Sequence, residues 1–298
     1  MRVRAALIAL SVLCAGAAAG CGGAAHTITT TATVKRATVP ARTVGLHVAV
    51  VGPLDVRAVP GASITRVGAL PTSAAYPLVI VSAQTTDIAA VDAVAQQHPT
   101  SHYVYVGGST KGHRQSNLVG LVLKDGQAAQ LGGVVAGLVA SEQGGRDARI
   151  AWVGPRETAL ATAFTRGARN VQQSTIVLRG WSAALPAACK EAALGAIARG
   201  AVVVMARGGV CAEAAIAGAH QQNRIGLQIS DFELTDVPIG VVLGDAVAGV
   251  YRGGEDIVFD ASSGAIGVRH LDPRITADVA VRARAAAQQL SSGLRPSG

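Results

Sequence analysis

The chain has 298 residues, of which half are hydrophobic and 15% are charged, and its formal net charge is +8. That length exceeds one small domain and is sufficient for two, and the apolar content allows a large core. The basic residues are scattered without a run of five or more, which indicates a solvated surface rather than a nucleic-acid interface. We therefore expect no nucleic-acid partner.

The first twenty residues have the features of a bacterial export signal. Arg2 and Arg4 precede an apolar stretch at 5–13, which is too short to span a bilayer, and small residues then lead to Cys21. A cysteine directly after Ala-Gly resembles a bacterial lipobox, in which that cysteine is diacylated and begins the mature chain. The pattern predicts a signal peptide over 1–20 and a lipid on Cys21 that holds the protein at the extracytoplasmic face of the cell membrane. The alternative is an ordinary secretory signal with an incidental cysteine.

Residues 21–43 are rich in Thr, Ala and Gly without an apolar period, which is typical of a flexible tether. Strands and helices then alternate. The first series has predicted strands at 44–52, 77–83, 102–108 and 117–123. Its predicted helices are at 85–99, capped by Thr86, and at 126–141.

A second series of the same kind follows. Its strands are predicted at 149–154, 174–181, 201–209 and 224–230, and its helices at 157–171, 187–200 and 210–222. Such alternation predicts an α/β fold with two lobes, each a mainly parallel sheet with helices on both faces. We expect one lobe over 44–146 and the other over 147–236.

The C-terminal part is less regular. Residues 237–254 indicate a strand followed by a helix, and a hairpin is predicted around Ser262-Ser263-Gly264. Part of 237–275 is expected to return to the first lobe, and a final helix within 276–298 to pack back on the second.

Polar residues and glycines recur where the predicted strands end. Ligands of open parallel sheets bind at these carboxyl ends, where glycine lets the backbone approach a small polar ligand. Each glycine has the alternative role of making a tight strand–helix turn. The candidate ligand-binding residues are Asp55, Gly107, Gly108, Gly154, Gly208, Gly209, Gln228 and Asp231.

Signatures of catalysis are missing from the sequence. It has no G-x-S-x-G, P-loop, H-E-x-x-H or C-x-x-C pattern, and its seven histidines stand singly. We therefore expect a binding protein without a cofactor or a metal site, and an envelope enzyme only as a lesser alternative.

Two cysteines remain in the mature chain besides Cys21, namely Cys189 and Cys211. The first lies near the start of a predicted helix and the second just past the next strand, so a right-handed crossover places both at one edge of the sheet. Export supplies an oxidising compartment, and we predict a disulfide between them. Two separate buried thiols are the alternative.

The order of elements over 75–270 resembles the basic membrane protein family, which consists of solute-binding lipoproteins of ABC transporters and includes purine-nucleoside receptors. The matching positions are Asn117, Lys124, Leu131, Gly133, Val153, Gly154, Phe164, Gly167, Arg207, Gly208, Gly209, Ile225 and Gly226. The resemblance implies a type 1 periplasmic-binding-protein-like fold, a small polar, nucleoside-like ligand, and ABC permease subunits as partners of a monomer.

The chain departs from the family at positions that would face the ligand. Gly107 and Gln228 stand where the family has aspartates, and Leu123 stands where it has a phenylalanine. These departures support an alternative function, a ligand-sensing or structural envelope lipoprotein that is not coupled to transport.

Overall fold

The computed structural model describes residues 45–113, 115–269 and 271–294, with Arg146 described by its backbone alone. These residues belong to one compact unit, Ala41–Gly298. The predicted signal peptide, the lipid on Cys21 and the tether lie outside the described residues.

Lobe 1 contains a sheet of six parallel strands in the order β10-β5-β4-β3-β1-β2. The central strands are buried on both faces, as their continuous Val, Ile and Leu runs predict. One helix, α1, covers one face. The elements are β1 Leu46–Val51, β2 Ala62–Val67, β3 Leu78–Ser82, α1 Ile88–Gln97, β4 His102–Val106, β5 Leu118–Leu123, α6 Asp236–Val247 and β10 Asp256–Phe259.

Lobe 2 contains four parallel strands in the order β7-β6-β8-β9. Helices cover both faces of this sheet, so two Ala-rich and Val-rich clusters form its core. The elements are α2 Asp125–Gln143, β6 Arg149–Gly154, α3 Thr158–Val171, β7 Ile176–Trp181, α4 Pro186–Ala198, β8 Ala201–Ala206, α5 Gly209–Gln221 and β9 Ile225–Gln228, with the C-terminal α7 Ala277–Ser291 packed on α2.

Helix α2 packs on α3 at unusually short range because both helices carry glycine at the contact. A Cβ on Gly133 would approach the carbonyl carbon of Phe164 to 2.9 Å, and a Cβ on Gly167 would come equally close to the carbonyl carbon of Gln130. The close approach positions the N-termini of the two helices side by side at the edge of lobe 2.

Three segments cross between the lobes, and hydrogen bonds join them to one another. Lys124, between β5 and α2, donates its backbone N–H to the Phe259 carbonyl at 3.0 Å and pairs with Asp260 at 3.1 Å. Leu234, between β9 and α6, donates to the Ala265 carbonyl at 2.8 Å. These bonds tie all three crossings into one hinge region.

The structure corrects several expectations about the local structure. The first part of 237–254, predicted as a strand before a helix, lies inside helix α6, and the predicted hairpin around Ser262 is a 3₁₀ turn after β10. Strand β10 does not form a hairpin with a neighbouring strand; it pairs in parallel with β5 at the edge of the lobe 1 sheet. Asp87, not Thr86, caps α1 by accepting from the N–H of Ala89 at 2.9 Å.

The lobes also differ more than the two series predict. Strand β2, which the sequence patterns did not predict, pairs in parallel with β1 after a connection that contains no helix. Lobe 1 therefore has six strands and lobe 2 has four. In the part of the chain that is described, no helix is long and apolar enough to cross a membrane.

Candidate functional site

A cleft opens between the lobes at the carboxyl ends of their parallel strands. It has two adjoining parts of about 400 and 270 Å³, and the larger lies within the range typical of small-molecule sites. Both parts share six lining residues, Leu54, Gln84, Gly209, Ser230, Glu233 and Thr235.

Lobe 1 contributes the residues that follow β1, β3 and β4. Leu54 is buried, whereas Asp55 and Gln84 are exposed to the cleft. Gly107 follows β4 with a φ of 81°, a left-handed conformation that favours glycine, and a Cβ there would meet nothing within 4 Å. The glycine thus leaves open space at the cleft wall.

Arg207 is the central charged group of the lobe 2 wall. It follows β8, and its guanidinium binds Glu157 at the N-terminus of α3 (2.7 Å) and Asp125 at the N-terminus of α2 (3.1 Å). The two carboxylates lie side by side because α2 and α3 pack at their glycines. Both also lie at the positive end of a helix dipole, which stabilises them there.

Glu233 adds a third carboxyl group to this cluster. It lies on the crossing between β9 and α6, partly buried and beside Asp125. Burial, together with the charge of Asp125 and a hydrogen bond to it, raises the pKa of Glu233 to about 8, although Arg207 opposes the shift. Glu233 therefore keeps its proton to a higher pH than an exposed glutamate does.

A second charged network lies where the crossings meet lobe 1. Asp236, buried at the start of α6, pairs with Arg269 at 2.7 Å and Arg57 at 3.1 Å, and Arg269 reaches Asp55 at 3.4 Å. Burial alone would raise the pKa of Asp236, but the hydrogen bond from Arg269 and the two positive charges outweigh it and lower that pKa. The network links the loop after β1 to two of the crossings.

Six of the eight candidate residues line the cleft, namely Asp55, Gly107, Gly208, Gly209, Gln228 and Asp231. Asp231 also has a local structural role, because its carboxylate accepts the backbone N–H of Gln228 at 2.9 Å. Burial raises the pKa of Asp231 against that hydrogen bond.

Gly108 and Gly154 lie outside the cleft lining. A Cβ on Gly108 would run into the ring of Tyr105, and one on Gly154 would lie 3.6 Å from the Cys211 sulfur. Gly108 therefore allows close packing on Tyr105, whereas Gly154, with a φ of 131°, serves the strand–helix turn that the sequence left open.

Sequence reasoning missed the charged cluster of Asp125, Glu157, Arg207 and Glu233. Asp125, Glu157 and Arg207 each follow a predicted strand within a few residues, and charged residues are few in this chain. Their position at strand ends is the signal that could have identified them. Nothing in the sequence indicates that four distant segments bring them together.

Cys189 and Cys211 are joined by a disulfide, with their Cα atoms 5.4 Å apart. The bond links the starts of α4 and α5 beneath the cleft wall of lobe 2. Across the described ranges, no group of three or more His, Cys, Asp or Glu side chains could hold a metal ion.

No protein-family model and no curated protein matches the sequence, but solved structures match the fold. An ABC transporter solute-binding protein from Conexibacter woesei is 18% identical, with a TM-score of 0.56, over 83% of this chain and 97% of that one. A second, from Aeropyrum pernix, is 17% identical, with a TM-score of 0.53, over 85% and 82%. The chain has a periplasmic-binding-protein-like fold.

That fold is not restricted to transport proteins. A transcriptional activator of the comK gene from Bacillus halodurans is 13% identical, with a TM-score of 0.59, over 85% of this chain and all of that one. The predicted fold class is confirmed, and at these identities the likeness extends to the fold alone.

Proposed function

We propose that this protein is a lipid-anchored solute-binding protein of an ABC importer, which binds a small polar ligand in the cleft between its lobes at the extracytoplasmic face of the cell membrane. The observation that carries the proposal is the cleft itself. Its walls come from strand ends of both lobes, and three crossings join the lobes. Such an arrangement allows closure on a ligand by hinge motion.

The export signal, the lipobox-like Cys21 and the resemblance to the basic membrane protein family support the same proposal. Two of the solved structures of similar fold are titled as solute-binding proteins of ABC transporters. The permease subunits of such an importer are the proposed partners, and binding without catalysis is the proposed activity.

Nucleoside binding receives less support from the cleft. In the described residues, no aromatic side chain lines either part, so a purine base would lack a stacking surface. The ligand class is therefore decided by the polar and charged groups of the walls.

Ligand binding is tested by thermal unfolding of the mature protein with a panel of sugars, nucleosides, amino acids and amines. A ligand at 100 times its Kd adds about 2.7 kcal/mol to the free energy of unfolding. Ser230 lines both parts of the cleft, and Ser230→Trp should abolish the stabilisation by filling it. The matched control is Ser73→Trp, at an exposed loop position, which should leave it unchanged. Stabilisation that survives Ser230→Trp would place binding elsewhere and contradict the proposal.

The anchor is tested by Cys21→Ser and membrane fractionation. We expect the Ser variant to be released from membranes or to remain unprocessed. A Ser variant that is still cleaved and still membrane-bound would show that no lipid on Cys21 holds the protein.

A sensing lipoprotein of the same fold is the second candidate. It is favoured by the departures from the family at Gly107, Leu123 and Gln228, positions expected to face a transported ligand. Deletion of the gene would distinguish the two, since loss of ligand uptake indicates transport and an altered transcriptional response with normal uptake indicates sensing.

A further inference from the structure

The charge of the cleft walls differs in sign from that of the whole chain. The protein carries a formal charge of +8, yet five carboxyl groups and only two guanidinium groups line the cleft. The seven are Asp55, Asp125, Glu213, Asp231, Glu233, Arg207 and Arg269.

Both cations of the cleft are already occupied. Arg207 is held between Asp125 and Glu157, and Arg269 between Asp55 and Asp236. An anionic ligand would have to displace one of these carboxylates, and it would meet the remaining ones as like charges. The cleft therefore offers no free positive group in its described lining to a carboxylate or a phosphate.

Part of the acidic character has a structural explanation. Asp125 and Glu157 lie at helix N-termini, and Asp231 caps its own turn. Glu233 has none of these roles, because it lies between the 3₁₀ turn after β9 and helix α6. It borders both parts of the cleft at the hinge, and it is a partly buried carboxyl group beside a like charge.

We propose that the ligand of this cleft is a small organic cation, an amine or a guanidinium compound, and that Glu233 binds its positive group next to the ion pair of Asp125 and Arg207. The inference rests on the proposed function, since it names the ligand class of the same cleft. A cation bound beside Glu233 would replace the proton of that carboxyl group, so Glu233 would be ionised and paired in the complex.

The exchange of proton for cation gives a pH dependence. The groups that face Glu233 are Asp125 from α2 and Arg207 from the end of β8, which is itself paired with Glu157. Because the pKa of Glu233 is raised to about 8, its ionised fraction rises from about a tenth at pH 7 to about nine tenths at pH 9. The affinity for a cation whose charge does not change over that range should rise about tenfold.

Isothermal titration calorimetry and thermal unfolding test the proposal on the mature protein. The probes are agmatine and putrescine as cations, ribose and inosine as neutral ligands, and glutamate as an anion. We expect only the cations to stabilise the protein, by about 5–10 °C at 100 times their Kd. The Kd of agmatine, whose guanidinium stays charged, should fall about tenfold from pH 7 to pH 9.

The variant Glu233→Gln keeps the shape and the hydrogen-bonding capacity of the side chain but removes its charge. It should weaken agmatine binding about tenfold or more at pH 9, the loss of one charge-assisted hydrogen bond, and remove the pH dependence. The matched control is Glu191→Gln on exposed helix α4, which should change neither. A retained melting temperature shows that the variant folds.

The outcomes separate this inference from the proposed function. Stabilisation by ribose, inosine or glutamate but not by the cations would leave a solute-binding protein and overturn the cationic ligand. Agmatine binding that is independent of pH and of Glu233→Gln would also overturn it. If no member of the broad ligand panel binds, the proposed function fails, and this inference fails with it.

Discussion

Replacing Gly133 by alanine tests the packing that brings Asp125 and Glu157 together. The new Cβ would lie 2.9 Å from the Phe164 carbonyl carbon, 3.0 Å from the Ala168 nitrogen and nearer still to the Phe164 carbonyl oxygen. Ordinary contacts of this kind are about 3.5–4.0 Å, and the carbonyl oxygen lies far inside that range, so α3 would have to move by about 1 Å or more. The obstacle is rigid backbone, which a change of rotamer cannot relieve.

The expected cost follows from two opposing effects. Overpacking of a tight contact costs about 1–3 kcal/mol, and the better helix propensity of alanine returns up to about 1 kcal/mol. Because the obstacle is backbone, the upper part of the overpacking range applies, about 2–3 kcal/mol. The net loss of about 1–2 kcal/mol should lower the melting temperature by about 2–8 °C in a chain of this size. Chemical denaturation with urea gives the free energy of unfolding directly.

The control is Gly195→Ala in the interior of α4, where a Cβ meets nothing within 4 Å. It should stabilise the protein by about 0.5–1 kcal/mol, because only propensity and unfolded-chain entropy change. If Gly133→Ala is as stable as Gly195→Ala, the α2–α3 contact is looser than described. The account of how Arg207 acquires two carboxylates would then be wrong.

Three further changes address charges and the disulfide. Asp236→Asn should destabilise by about 1–3 kcal/mol, because it leaves the Arg269 guanidinium without its buried carboxylate, and urea denaturation measures the loss. Burial would raise the pKa of Asp272, but Arg274 outweighs it and lowers that pKa to about 2. The stability that Asp272 contributes is therefore present above about pH 4 and lost as the pH falls toward 2, and Asp272→Asn should flatten that part of the profile. Reduction of the bond between Cys189 and Cys211 should cost about 3 kcal/mol in the chain-entropy model.

Each of these predictions has a result that would contradict it. The control for Asp236→Asn is Asp278→Asn, which should change stability little because Asp278 is an exposed carboxylate 3.8 Å from Arg282. An equal loss in both variants would show that burial of the Asp236 ion pair does not explain the effect. An unchanged acid profile after Asp272→Asn would show that other carboxylates govern acid unfolding. Two alkylatable thiols in the unreduced mature protein would exclude the disulfide.

Much of the architecture could be predicted from the sequence because it depends on local pattern. Fully apolar runs such as those of β3 and β8 indicate strands buried on both faces, and their alternation with amphipathic or Ala-rich segments indicates crossover helices. The right hand of those crossovers also places Cys189 and Cys211 at one edge, so that their pairing could be predicted.

The errors occur where tertiary contacts outweigh local preference. β2 alternates weakly at the edge of the sheet, and it becomes a strand by pairing with β1. The start of 237–254 has strand-forming residues but is helical, because Ile239, Val242 and Leu243 fall on one buried face. β10 finds its partner β5 more than a hundred residues earlier, a pairing that no local pattern encodes.

The site divides in the same way. The sequence by itself determined which positions stand at strand ends, and so identified Asp55, Gly107, Gly208, Gly209, Gln228 and Asp231 as cleft residues, because the carboxyl edge of a parallel sheet follows from strand direction alone. Only the tertiary structure decided that the ends of β5, β6, β8 and β9 converge on one point. The convergence depends on the close packing of α2 on α3 and on the hinge crossings, so the charges gathered around Arg207 and Glu233 are a property of the folded chain.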